Sequence, residues 1–217
     1  MNNIRIPGNQ EVQYRIAIPG LSAGPVCYRW CQDVTESIAG DIIALMRDTT
    51  AGAPIIGFGK SIDDSEAVAY IAELRDNLRA GKCRLLTIHA GDGQLIGLCT
   101  LKRNLNPNNR HITDLAKGMI DERYRGGAVL PAAFYEIATQ CELDGVDLVT
   151  LDVRADTPAH RAWVRFGFES YGMLPDYARV GGQVFAGHFM MQPVSKLKAG
   201  AASVLRAQAE VAQAAHG

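Results

Sequence analysis

Residues 114–153 read DLAKGMIDERYRGGAVLPAAFYEIATQCELDGVDLVTLDV, and the architecture follows from this stretch. Its first seven residues are strand-like. The glycine pair Gly126-Gly127 then leads into a segment in which Leu130, Phe134, Ile137 and Cys141 recur at helical spacing. Gly145 ends that helix, and LVTLDV at 148–153 is a near-continuous apolar run, the pattern of a strand buried on both faces. Strand, helix and strand in this order predict a parallel pair, because a crossover of this length joins parallel strands.

Further along the chain, Thr157 and Pro158 form an N-cap and first-turn pair for a helix that ends at Gly167. Two short strand-like pieces, FESYG and QVFAGHFMM, complete the body. The tail from Val194 is Ala-rich, and Leu197, Ala201, Val204, Leu205, Val211, Ala212 and Ala215 recur along it at helical spacing. This helix is expected to pack on the domain or on a second copy of the chain, which would make a homodimer.

Upstream, CRLLTIHA and QLIGLCTL flank Gly91-Asp92-Gly93 and predict a β-hairpin. Asp63 with Glu66 has the capping-box spacing before Val68, Ile71, Leu74 and Leu78, with Gly81 as the C-terminal stop. Asp33 with Glu36 repeats the spacing before Ile38, Ile42, Leu45 and Met46. PVCYRWC is the first strand of the body, and the Gly-rich loop TTAGAPIIGFGK at 49–60 has the composition of a functional loop. The expected organisation is an arm over residues 1–25, a domain over 26–193 and a helix over 194–217.

The formal net charge of −1 excludes the basic face that nucleic acid demands. No run approaches a membrane span and MNNIRIPGNQ lacks the order of a secretory leader, so the cytoplasm is the expected compartment. The 5 cysteines are odd in number and spread through apolar segments, the pattern of reduced core thiols. Cys27 and Cys31 lack the companions of a zinc site, and no metal is expected.

Two constellations carry chemistry. In Glu122–Ala128, ERYRGGA, glycines before a helix let backbone N–H groups close around an anion, with Arg123 and Arg125 as charged donors. A plain turn is the alternative. Asp152 interrupts the apolar run at the carboxyl end of its strand, where open sheets place their sites, and Asp114 stands on the preceding strand. A local cap or ion pair is the alternative for each. His89 and His188 read as structural histidines, and Cys99, Cys141 and the Met190-Met191 pair as core.

RYRGGAVL, a helix, LVTLDV and then DTPAHRAWVRFGF at 156–168 resemble the GNAT superfamily of acyl-CoA-dependent N-acyltransferases. Gly172-Met-Leu-Pro175-Asp-Tyr177, with the two Asp positions, is similar to the tabtoxin-resistance type of acetyltransferase. The resemblance implies an α/β fold: a twisted mixed sheet flanked by helices, with Asp114 and Asp152 on parallel strands that splay apart. It further implies acetyl-CoA as acyl donor. In that reading the Arg125–Val129 backbone (Gly126, Gly127 and Ala128 within it) and Arg123 hold pyrophosphate, and Met119 and Ile120 lie beside the thioester. His111, Tyr177 and Trp163 face the acceptor, and Asp114 and Asp152 hold and deprotonate a small-molecule amine.

Departures from the family pattern set the alternatives. Leu130 takes the last small position of the loop signature, Asp156 replaces an Asn that contacts the pantetheine arm, and Trp163 stands where a Tyr protonates the thiolate. Tyr171, Tyr177 and His160 are the substitutes for that Tyr. An acyl carrier protein as donor, or a catalytically silent binding protein, are the rival functions.

Overall fold

The computed structural model describes residues 4–5, 11–16, 24–50 and 62–214. In chain order the strands are β1 (Ile4–Arg5), β2 (Glu11–Ile16), β3 (Gly24–Cys31), β4 (Cys83–Ala90), β5 (Leu95–Arg103), β6 (Ile112–Ile120), β7 (Leu148–Arg154), β8 (Glu169–Val180) and β9 (Gln183–Pro193). The helices are α1 (Glu36–Thr50), α2 (Asp64–Arg79), α3 (Val129–Leu143), α4 (Pro158–Arg165) and α5 (Val194–Ala214). The strands form one mixed sheet in the order β1-β2-β3-β4-β5-β6-β7-β9-β8.

Every neighbouring pair is antiparallel except β6 and β7, which run parallel as expected. That ladder has three rungs, Ile112 with Leu148, Thr113 with Val149 and Asp114 with Thr150. Beyond them β6 stays with β5 as far as Ile120, whereas β7 stays with β9 as far as Arg154. The two strands therefore part just after Asp114.

Helices cover both faces. Ile42, Met46, Ile71 and Leu74 of α1 and α2 pack on Leu85, Leu98 and Met119 of the sheet. On the opposite face Phe134, Ile137 and Ala138 of α3 and Leu197 and Ala201 of α5 close over Tyr28, Leu86, Val149 and Leu151. The tail thus packs on its own domain, along α3.

Local chemistry explains the boundaries. Asp63 and Glu66 make the full capping box of α2, and Gly81 follows its C-cap at φ +65°. Thr157 caps α4 at the His160 N–H, 3.1 Å away, with Pro158 in the first turn. Gly93 supplies the positive φ of the β4–β5 turn.

Three expectations are corrected. α1 is capped by Thr35, whose hydroxyl accepts from the Ile38 N–H at 3.3 Å, while Glu36 pairs with Arg75 and Asp33 lies near Arg79. A helix reset by two residues leaves the Asp33–Glu36 spacing without a role. β7 is buried on one face only: Val149, Leu151 and Val153 are buried, whereas Asp152 is exposed and Leu148, Thr150 and Arg154 half-buried. The two short C-terminal pieces are one long hairpin, β8 and β9, turned at Gly181-Gly182, whose positive φ values suit a tight turn. Pro175 hid β8 because it sits in a bulge: register is lost between Leu174 and Ala178. The loop over 51–61 lies outside the described residues.

Candidate active site

Asp114 of β6 and Thr150 and Asp152 of β7 alternate with Leu115, Val149, Leu151 and Val153 of the α3–α5 core and so lie on the other face of the sheet, where the parting strands leave a polar floor. Asp114 stands opposite Lys102 of β5, and the Lys102 Nζ lies 3.8 Å from its carboxylate. The Thr150 hydroxyl sits between the Thr113 carbonyl at 3.2 Å and Asp114 Oδ1 at 3.4 Å. Burial, seconded by the negative charge of Asp152, raises the Asp114 pKa above the usual carboxylate value against the opposing pull of Lys102. Asp152, two residues past the last parallel rung, accepts a hydrogen bond from the Tyr177 phenol.

Tyr177 reaches Asp152 because the β8 bulge turns its ring back across β9. The ring lies over Gly187, where any β-carbon would overlap it, and edge-on to Phe189 at 6.3 Å. Burial and the Asp152 carboxylate both raise the phenol pKa, so the phenol stays protonated and acts as a donor. Tyr171, also near Phe189, is exposed. His160 stacks on His188 at 4.4 Å, and His188 bonds Ser170. Of the substitutes for the missing Tyr, Tyr177 is the one joined to an aspartate of the floor.

β6 carries a bulge opposite Cys99, where pairing jumps from Leu98–Met119 to Thr100–Ala116. Lys117 in this bulge has φ 54°, a left-handed conformation that a non-glycine residue adopts at a cost. Burial lowers the Lys117 pKa, Lys102 lowers it further, and Asp152 and Glu73 oppose. Trp163 reaches the same bulge: a β-carbon on Gly118 would lie 3.9 Å from its indole. Phe134 and Phe168 hold that ring at 5.3 and 5.1 Å. Met119 is buried beneath α1 and α2, and half-buried Ile120 packs against the core on the opposite face.

After Ile120 the chain makes a 3₁₀ turn over Glu122–Tyr124 and reaches α3 through Gly126, at φ +80°. Ala128, the N-cap of α3, offers no side-chain bond to the first N–H groups of that helix. An anion there fits the donor set. Arg123 pairs with Asp121 at 2.5 Å and holds that carboxyl below its ordinary pKa, and Arg125 donates to the Ile120 carbonyl at 2.8 Å. Leu130 packs against the core.

Two sequence-derived residues stand apart from this floor. His111 is exposed at the start of β6, and its carbonyl receives the Asp147 and Leu148 N–H groups. Asp156 is exposed at φ 60° just before α4, and its carbonyl accepts from Arg161. Lys102, Lys117 and Thr150 escaped the sequence reading. A Lys-Gly pair inside a strand is a bulge signal, but Lys102 and Thr150 gain meaning only through register. His89 bonds the Gly93 carbonyl, and burial pushes Cys99 and Cys141 up to about 12, as suits structural residues. Among the described residues no three His, Cys, Asp or Glu gather as a metal site, and no helix is long and apolar enough to cross a membrane.

A mixed sheet split at one parallel pair, with a bulged strand and an uncapped helix beside the split, defines the fold of the GNAT acetyltransferases. Solved structures bear this out. RimJ of Mycobacterium smegmatis, in complex with CoA-disulfide, superposes with a TM-score of 0.67 at 18% identity over 92% of this chain and 95% of that one. The ribosomal-protein-alanine N-acetyltransferase of Brucella melitensis gives 0.62 at 20% identity over 76% and 98%. A spermidine N-acetyltransferase chimera of Vibrio cholerae SpeG and hSSAT gives 0.63 at 14% over 79% and 97%. The sequence matches no family model and no curated protein.

Proposed function

We propose that this chain is an acetyl-CoA-dependent N-acyltransferase that moves an acetyl or other short acyl group to the primary amine of a small, polar, amino-acid-like molecule. The observation that carries the reading is the placement of Asp114 and Asp152 on either side of the strand split, one half-buried and one bonded to Tyr177. The named acceptors of similar structures range from a ribosomal protein's alanine to spermidine. The Gly172–Tyr177 element, which supplies Tyr177 to Asp152, supports the amino-acid-like acceptor.

An amine reaches the protein as ammonium, with an ordinary pKa of ~10.4 against ~3.9 for an aspartic acid. Asp152, fixed by Tyr177, attracts the ammonium. Asp114 takes its proton, directly or through water, because its raised pKa narrows that gap. Acetyl-CoA, when bound, supplies an electrophilic acyl carbon and a thiolate leaving group. The backbone of Gly126, Gly127, Ala128 and Val129 would hold its pyrophosphate, and Met119, Ile120 and Trp163 would flank its thioester. The free cysteines and the near-neutral net charge support action in the cytoplasm on a small molecule, without nucleic acid or membrane as partner.

A thioester borne on a carrier protein is the second reading, favoured by the engagement of both loop arginines within the loop. Calorimetry with acetyl-CoA, followed by thiol release with candidate amines for the wild type and Asp152→Asn, tests the proposal. Binding of acetyl-CoA and a loss of turnover of about 10²-fold or more in the variant are expected; no binding at millimolar acetyl-CoA overturns it.

A further inference from the structure

We propose that Tyr171, Phe189 and Tyr177 form an aromatic wall beside Asp152 that takes the side chain of the acceptor and selects primary amines carrying an aromatic ring. This rests on the acyltransfer reading for the identity of the reacting amine and narrows the amino-acid-like acceptor to one with a ring. The two aspartates do not supply that choice, since a carboxylate attracts any ammonium, a polyamine included. The wall gives the rest of the acceptor a surface of its own.

Phe189 is the cross-strand partner of Asp152 in the β7–β9 ladder, so the two side chains stand beside one another on one face of the sheet. β8, the edge strand beyond β9, loses register at two places, between Ser170 and Gly172 and between Leu174 and Ala178. Each irregularity holds one tyrosine, and each tyrosine brings its ring centroid to 6.3 Å from that of Phe189. A bulge re-aims the side chain it carries, so two separate departures from regular pairing converge on one ring next to the carboxylate. The β8 residue opposite Phe189 is Gly172, and the cross-strand position that would cover the ring thus has no side chain. Phe189 is half-buried and Tyr171 is 57% exposed, so both keep ring surface that a ligand can cover. An amine whose ammonium meets Asp152 and whose ring meets Phe189 is held at both ends: opposite charge fixes one, and ring contact in edge-to-face or offset geometry fixes the other. A polyamine gains less. Asp176, the carboxylate next to Tyr177 in the chain, is already paired with Arg179, so a second ammonium meets rings where it needs a counter-ion.

The experiment is equilibrium binding, without donor and again with CoA present, of L-phenylalanine and phenethylamine against L-alanine and ethylamine, with spermidine as the polyamine control. The wild type is expected to bind the ring-bearing amines about tenfold more tightly than their small counterparts. Tyr171→Ala should weaken the ring-bearing amines about five- to tenfold and leave the small ones within about twofold, and Tyr171→Phe should restore the preference. Small amines or spermidine binding as tightly as the ring-bearing ones, unchanged binding in Tyr171→Ala, equal weakening of both classes, or no binding of any probe overturns the inference. Acetyl-CoA binding is measured separately: its absence beside Tyr171-dependent binding of ring-bearing amines would end the acyltransfer reading and leave the wall standing, whereas its presence beside indifference to the ring would do the reverse.

Discussion

Tyr177 donates to Asp152 from a ring laid flat against Gly187, so the backbone of one strand sets the direction of a carboxylate on its neighbour. Gly187→Ala should lift the ring off Asp152 and lower kcat/KM for the acceptor by about 10- to 100-fold, the usual effect of misplacing a positioning group by an ångström. The alanine should have little further effect in a Tyr177→Phe background, where the hydrogen bond is already lost. Steady-state kinetics of the four-member cycle checks this. Additive losses would show that Gly187 acts elsewhere.

The raised pKa of Asp114 predicts the sign of a pH effect on stability. An unfolded aspartic acid ionises near ~3.9, whereas in the folded protein the proton stays on to a higher pH. Within that window the folded state binds more protons, so stability falls as pH rises. The wild type should therefore lose stability relative to Asp114→Asn as pH climbs through the window, and the gap should be constant below it. Urea denaturation of both proteins across this range measures the difference. A gap that moves in the opposite direction contradicts the burial argument.

Leu197 of α5 is fully buried in the core that it shares with α3, whereas Val211 is 70% exposed. Leu197→Ala should cost about 2–5 kcal/mol and Val211→Ala no more than about 0.5 kcal/mol, by denaturant unfolding. Equal small effects would mean that the tail helix contributes nothing to the domain.

Helix caps separate the observed start of α1 from the one its sequence suggested. Thr35→Ala and Asp63→Ala should each destabilise by about 1 kcal/mol, whereas Asp33→Ala should change little, because Asp33 is exposed and its ion pair with Arg79 is long, at 3.9 Å. Thermal or chemical unfolding of the three variants decides it.

What was legible in the sequence was local. The capping box of α2, the Thr157-Pro158 start of α4, the glycine turns and the parallel β6–β7 pair all rest on spacings of a few residues or on one crossover. β8 was legible only in its first residues, FESYG, since Pro175 breaks the strand pattern at the bulge that brings Tyr177 inward. The aspartates were found by their unusual positions on strands. Their pairings were not: Lys102, Thr150 and Tyr177 lie 12, 36 and 25 positions from the groups they touch, and only strand register and the β8 bulge join them.

The three-rung ladder between β6 and β7 also divides the sheet mechanically. On one side lies a run of six strands paired in chain order, β1 to β6, and on the other the β7-β9-β8 unit. Each part can keep its own backbone bonds while the seam opens. Amide exchange should accordingly report two cooperative blocks rather than one, with the N–H groups of the three rungs exchanging ahead of either.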